Sequence, residues 1–500
     1  MAISSVNLSS SLVRDLMNTR NQLLDLQRQL GTGKIAETYG GLNGTARLTI
    51  LSMRAETSAI NSYQRIIQNV DVQLKIGLQT VERFAEISSF TKTDFFNSTF
   101  DLVDGKKTIP QRTAQTSLDE MVALLNSDVN GRHIFGGRDS DGKPVVDVDT
   151  MLNGNGPRAG LNQLVSERRA ADLGADGRGR MAINNSGTNV TLSEELAGLP
   201  FGMKFVNVTN SLPAGQVTGP TGVPATVSVA FGAPLPADGD QISIRLAMPD
   251  GSEEILTMTA RASGPALDGE FVIGATATDT ATNFEASLGS AVERFAATHL
   301  EAASALTASK EFFAGNNTTP PQRVGGPPFD SATGLVAGTA ADTVIWYTGD
   351  DSSQPARQSA KAKIDDSVTL NYGTRADEEG LVNLIQNLAV LATLNFDETD
   401  PNASERYAAL TIRTGRALDF PPGDQSPANI AADLAVTART LKLTSERHIV
   451  AANLAATLIS EREDSDIQEI AVHILALQTR LQASLQVTSM ISQLSLVNFI

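Results

Sequence analysis

The hydrophobic pattern is strongest at the two ends of the chain. Near the start, Leu12, Leu16, Leu23, Leu26 and Leu30, with Thr19 in register, recur at alternating spacings of four and three until Gly31-Thr32-Gly33 breaks the run. That period predicts a helix with one narrow apolar stripe, the seam of a coiled coil. After Tyr39-Gly40-Gly41-Leu42-Asn43-Gly44 the spacing returns through Ile60, Tyr63, Ile67, Val70, Leu74, Gly77, Val81 and Phe84 without a proline. A helix over residues 45–90 would be roughly 70 Å long at about 1.5 Å per residue. At the far end Ile467, Ile470, Ile474, Leu477 and Leu481 repeat the pattern, and Leu485, Ile491 and Leu494 continue it approximately.

The middle is patterned differently. Pro and Gly cluster at 213–224, 320–328 and Pro421-Pro422-Gly423, as at boundaries or exposed loops. Val227, Val229 and Phe231 alternate, as do Ile242, Ile244, Leu246 and Met248 before the turn Pro249-Asp250-Gly251-Ser252 and then Ile255, Thr257 and Thr259. This predicts a hairpin-bearing β region. The Ala-rich stretch from Ala281 to Phe313 predicts a helix, and Val344-Ile345-Trp346-Tyr347 and Val368-Thr369-Leu370 add strand-like pieces. Helical spacing resumes over Glu378–Leu394 and Ser426–Leu458.

The expected fold is therefore mainly α with an α+β central insertion, in which long antiparallel N- and C-terminal helices form a coiled-coil or bundle stem. The expected organisation is a terminal core segment (1–45), a helical stem (46–135), a variable α+β outer region (136–375), a second stem (376–462) and a C-terminal core segment (463–500). A leucine stripe is stable only when covered. Burial of each large aliphatic side chain contributes roughly 1.5–3 kcal/mol. Periodicity alone fits an intramolecular bundle as well as an intermolecular seam.

Composition narrows the function. Five hundred residues exceed what one hydrophobic core usually organises. Aromatics make up only 5% of the chain, with Trp346 the single tryptophan, so the cores must rely on Ala, Leu, Ile and Val. A net charge of −17 disfavours nucleic acid and anionic membranes as partners. With no cysteine there are no disulfides or thiolate metal sites. No 18-residue apolar run predicts membrane insertion. The opening Met1 to Leu8 lacks the basic start and apolar core of a cleavable signal peptide, so export would use another route.

Catalytic patterns are weak. The four histidines, His133, His299, His448 and His473, show no zinc-site spacing and read as packed or solvated. Gly31-Thr32-Gly33-Lys34 lacks the first glycine of a phosphate loop and has Ile35 at the magnesium-ligand position, so it reads as a helix C-cap. Asp139-Ser140-Asp141-Gly142 lacks the distal glutamate of a calcium loop and reads as a polar turn. Asp350-Asp351 and Asp365-Asp366 read as solubilising surface charge. No catalytic, cofactor or metal residue is expected, and the chain is not expected to be an enzyme.

The ending Leu477-Gln478-Thr479-Arg480-Leu481-Gln482-Ala483-Ser484-Leu485, closing on Leu494-Ser495-Leu496-Val497-Asn498-Phe499-Ile500, resembles the terminal helix of the bacterial flagellin family. Ser445-Glu446-Arg447, the run from Glu461 to Ile467, and Leu26-Gln27-Arg28-Gln29-Leu30-Gly31-Thr32-Gly33-Lys34 extend the resemblance. It covers the first 90 and last 75 residues, roughly. It implies a subunit exported through the flagellar type III apparatus with an export chaperone. Its terminal helices would then pair in the core of an extracellular, homo-oligomeric flagellar polymer that serves motility. The assembly seam would comprise Leu12, Leu16, Leu23, Leu26, Leu30, Ile467, Ile470, Ile474, Leu477 and Leu481. Gly131-Arg132-His133-Ile134-Phe135-Gly136-Gly137-Arg138 with Lys143-Pro144-Val145 is similar to a segment of the family's hook–filament junction proteins, which keeps that alternative beside the filament subunit. A further alternative, a secreted adhesin or glycan-binding protein, would use residues 200–375.

Overall fold

The computed structural model describes residues 2–497, with side-chain surroundings given for residue 11 and residues 13–490. It is an α+β structure with helices at both ends and a central sheet region. The helices are α1 (Ala2–Thr32), α2 (Gly44–Asn97), α3 (Ile109–Leu125), α4 (Val148–Asn153), α5 (Leu161–Leu173), α6 (Ala277–Phe295), α7 (Glu301–Ala314), α8 (Glu379–Thr393), α9 (Ala403–Ala417), α10 (Pro427–Glu463) and α11 (Ile467–Val497). The central strands are β1 (Met181–Ser186), β2 (Asn189–Glu194), β3 (Lys204–Asn210), β4 (Val217–Thr221), β5 (Thr226–Ala230), β6 (Gln241–Ala247), β7 (Glu253–Arg261) and β8 (Glu270–Val272).

The chain groups into two compact units, one of residues 1–71, 362–370 and 439–500, the other of residues 72–361 and 371–438. The smaller unit thus gathers both chain ends.

In the larger unit, two four-stranded sheets enclose a common core. One runs β1-β2-β5-β4 and is antiparallel; the other runs β8-β7-β6-β3, with only β8 parallel to its neighbour. The hairpin expected around the Pro249-Asp250-Gly251-Ser252 turn is present, with Ile244 opposite Leu256 and Ile242 opposite Met258. Period-two alternation drives its inner residues into the core. That core also takes α6 through Phe284, Leu288 and Val292. Phe284 meets Phe271 and Phe231 edge-on, at centroid distances of 5.0 and 5.3 Å.

Local sequence explains the helix starts. Thr276 and Asp279 form a capping box at α6, as Thr108 and Gln111 do at α3, where Pro110 occupies a first-turn position that needs no N–H. The stretch expected as one helix from Ala281 to Phe313 is α6 and α7 joined by a π-turn at Ala296–Leu300. The four residues Val344–Tyr347 form no ladder. Only Thr343 and Tyr347 at their margins make single bridges, to Ala159 and Val145. Burial rather than pairing accounts for their apolar run, and the Trp346 indole Nε1 donates to the Phe313 carbonyl at 2.8 Å.

Asp350 corrects a second expectation. Its side chain is buried rather than solubilising, and its carboxylate accepts from the Ser352 and Arg138 backbone N–H groups. Burial pushes its pKa up, but the hydrogen bonds from Ser352 and Arg138 and the nearby Arg375 charge outweigh that push and hold it below the usual range.

Candidate assembly surface of the terminal helices

In the smaller unit α1 packs against α11. Gly33, at φ +66°, ends α1 by donating its N–H to the Gln29 carbonyl at 2.8 Å, the C-cap expected from the sequence. The chain then meets the far end of the sequence. Ile35 N–H donates to the Glu463 carbonyl at 2.8 Å, and Ser465 N–H donates to the Gly33 carbonyl at 3.0 Å. Since the end of α1 meets the start of α11, the packed helices run antiparallel.

Side chains reinforce this junction. Lys34 Nζ donates to Asp464 Oδ1 at 2.6 Å and reaches Glu463 Oε2 at 3.5 Å. Arg54, on α2, grips both Glu463 oxygens through Nη2, at 2.6 and 2.9 Å. The hydrogen bond to Asp464 raises the Lys34 pKa, and the same bond, with one from Ser460, lowers that of Asp464. Sequence reading did not anticipate this clasp. Its only signal was the Glu461-Arg462-Glu463-Asp464 run opposite an isolated lysine.

The predicted seam residues fall into two groups. Ile470 and Ile474 are buried, and Leu16, Leu23, Leu26, Leu477 and Leu481 are half-buried, along with Thr19. Leu30 and Ile467, at the ends of their helices, are 38% and 55% exposed. Leu485 is exposed as well. Leu12, Ile491 and Leu494 lie outside the residues whose side chains are described.

Beyond the seam, each helical segment of this unit carries further exposed aliphatic side chains. They include Val13, Met17 and Leu24 on α1, and Leu48 and Leu51 on α2. Leu443, Val450 and Leu454 on α10 and Val472, Leu475 and Met490 on α11 belong to the same set. Single exposed leucines are ordinary on protein surfaces; here every helical segment of one unit carries two or more such side chains.

The remaining sequence candidates are dispersed. His448 is buried, stacks on Tyr63 at 5.7 Å and contacts the Ile364 carbonyl at 2.8 Å through Nε2. His473 is exposed beside Glu469. His299 sits in the π-turn between Glu254 and Glu405, 3.7 and 3.8 Å away, with no hydrogen-bond partner at Nδ1. Burial lowers its pKa, an effect the two glutamates partly oppose. Asp139–Gly142 is irregular chain that bends at Asp141 and Gly142 with Ser140 buried, and Asp365 pairs with Arg447.

Among the described residues no group of three or more His, Cys, Asp or Glu side chains could hold a metal ion. Among them, too, no helix is long and apolar enough to cross a membrane. No protein-family model, no curated protein and no solved structure matches this chain.

Proposed function

We propose that the chain is a structural subunit of the bacterial flagellum, of the flagellin type, that polymerises through its terminal helices to build the extracellular filament. The observation that carries this reading is the distribution of exposed aliphatic side chains over every helix of the unit that gathers both chain ends. A single docking groove would need one such face. A subunit enclosed by neighbouring copies needs several, and the partner of matching chemistry is a second copy of the same unit. The resemblance of both ends to flagellins supports the same assignment. On this reading export proceeds through the flagellar type III apparatus, and the sheet-bearing unit is the outer part of the polymer.

One observation favours the junction protein as a second reading. The segment from Gly131 to Arg138 runs from the short strand Arg132–His133, paired with Asp128–Val129, into a tight stretch where a Cβ on Gly136 would lie 2.2 Å from the Asp139 carbonyl oxygen. The glycine there is a structural requirement, in the segment that is similar to junction proteins.

Electron microscopy of the seeded full-length chain, beside a chain lacking residues 1–45 and 465–500, tests the assignment. Long tubes from the full-length chain alone support the filament subunit; binding to hook ends without tubes supports the junction protein. The double variant Leu477→Asp with Leu481→Asp places two charges on the half-buried stripe of α11 and is expected to abolish assembly while the sheet-bearing unit stays folded. Normal tubes from that variant would refute the role of the seam.

A further inference from the structure

The chain carries a net charge of −17, yet one recess of its larger unit has the opposite character. It has a volume of about 370 Å³, and Arg132, Arg138, Lys361 and His133 line it together with Ser359 and Tyr372. No aspartate or glutamate is among its lining residues.

The segment that carries His133 and the two arginines is held by the fold. His133 N–H donates to the Ser140 carbonyl at 2.8 Å, closing the 131–140 segment back on itself. The His133 ring, through Nδ1, donates to the Asn126 carbonyl at 2.8 Å, and Thr374 Oγ1 donates to the Ile134 carbonyl at 2.7 Å. The sharp turn at Gly136 then brings Arg132 and Arg138 to the same recess.

Their charges are largely unspent. Arg132 donates Nε to the Ser140 hydroxyl at 2.9 Å, and neither Nη group has an acceptor among the described residues. Lys361 forms no ion pair among them either. The Arg138 guanidinium meets the Asp350 carboxylate only loosely, with Nε 3.9 Å from Oδ2. Burial raises the Tyr372 phenol pKa, so at neutral pH it keeps a proton to donate.

We propose that this recess binds an oxyanion, a carboxylate or phosphate group carried either by a small polar molecule or by an acidic side chain of a second copy. A guanidinium matches the planar edge of a carboxylate or the oxygens of a phosphate with paired N–H donors, and an ammonium beside it adds charge without fixing geometry. The site stands on its own geometry and does not depend on the assembly reading.

The test is calorimetric titration of the full-length, unassembled chain with inorganic phosphate and with citrate at low ionic strength. Saturable binding is expected. Arg132→Gln and Lys361→Gln should each weaken it about fivefold, the size of a charge-assisted contact at a partly exposed site. Arg132→Lys should recover part of the loss, and Lys310→Gln, an exposed lysine outside the recess, should leave binding unchanged. The absence of saturable binding, or an equal loss in Lys310→Gln, would overturn the proposal. Sedimentation velocity separates the two sources. If a second copy supplies the anion, saturating citrate and Lys361→Gln both raise the protein concentration needed for association; if a free molecule supplies it, neither does.

Discussion

Two adjacent carboxylates, Glu463 with Arg54 and Lys34 and Asp464 with Lys34, tie the end of α10 to the N-terminal part of the chain, and the structure predicts unequal costs for removing them. The Glu463 side chain is 11% exposed and accepts two hydrogen bonds from Arg54; the Asp464 side chain is 43% exposed and pairs with a Lys34 that is 46% exposed. Breaking a fully buried pair costs about 3–5 kcal/mol. An exposed pair is worth about 0.2–1 kcal/mol. Arg54 is itself half-exposed, so its charge regains water when the partner is lost, and Glu463→Gln should cost about 2 kcal/mol, between those limits. Asp464→Asn should cost about 0.5 kcal/mol. In the opening equilibrium these are roughly thirtyfold and twofold changes.

The assay is hydrogen exchange over residues 2–71 and 439–497, with Trp346 fluorescence as an internal reference because that residue belongs to the other unit. Faster exchange with an unchanged fluorescence transition is expected for Glu463→Gln. Because the Asp464 pKa is depressed, its smaller contribution is present above the unfolded carboxylate pKa and is lost as pH falls through the folded value. An Asp464→Asn effect equal to or larger than that of Glu463→Gln would refute the burial argument.

Phe284→Ala should destabilise the sheet-bearing unit by about 3–5 kcal/mol, because it empties the centre of the Phe231–Phe271–Phe284 cluster; the denaturant midpoint followed by Trp346 fluorescence measures it. Arg413→Ala should cost a similar 3–5 kcal/mol by the same assay. Its nearly buried guanidinium holds Asp250 at 3.1 Å and Glu254 at 2.9 Å, and both would be left unpaired. His299 has a folded pKa below its unfolded value near 6.5, so its neutral burial favours the fold above that pH and loses effect as pH falls through the folded value. The stability difference between wild type and His299→Gln should therefore depend on pH in the mildly acidic range, as urea titrations at several pH values would show, and be flat above pH 7.

The sequence foretold the elements that repeat and missed those fixed by single partners. The stripe spacing of Ile470, Ile474, Leu477 and Leu481 anticipated a covered face, and the alternation of Ile242 to Met248 anticipated a hairpin, because each is a sum over many weak local preferences. Nothing local distinguishes a buried apolar run from a strand, so Val344–Tyr347 was misread; its partners, Phe313 and Ala159, are remote in sequence. Asp350 looked like surface charge because, beside the local Ser352 N–H, its carboxylate meets the Gly137–Arg138 backbone, far away along the chain. The clasp of Lys34 and Arg54 with Glu463 and Asp464 was invisible for the same reason. A one-stripe pattern also carries no information about a second set of apolar residues, so the exposure of Leu24, Leu454 and Leu475 could be found only in three dimensions.

That second set of side chains bears on how growth would begin. In the proposed polymer a subunit touching one neighbour would cover only part of its apolar surface and would still lose its freedom to tumble, so pairs would dissociate quickly. Only a site bordered by several copies would repay that entropy. Assembly from isolated chains would therefore show a lag and a threshold concentration, and a preformed end would abolish both.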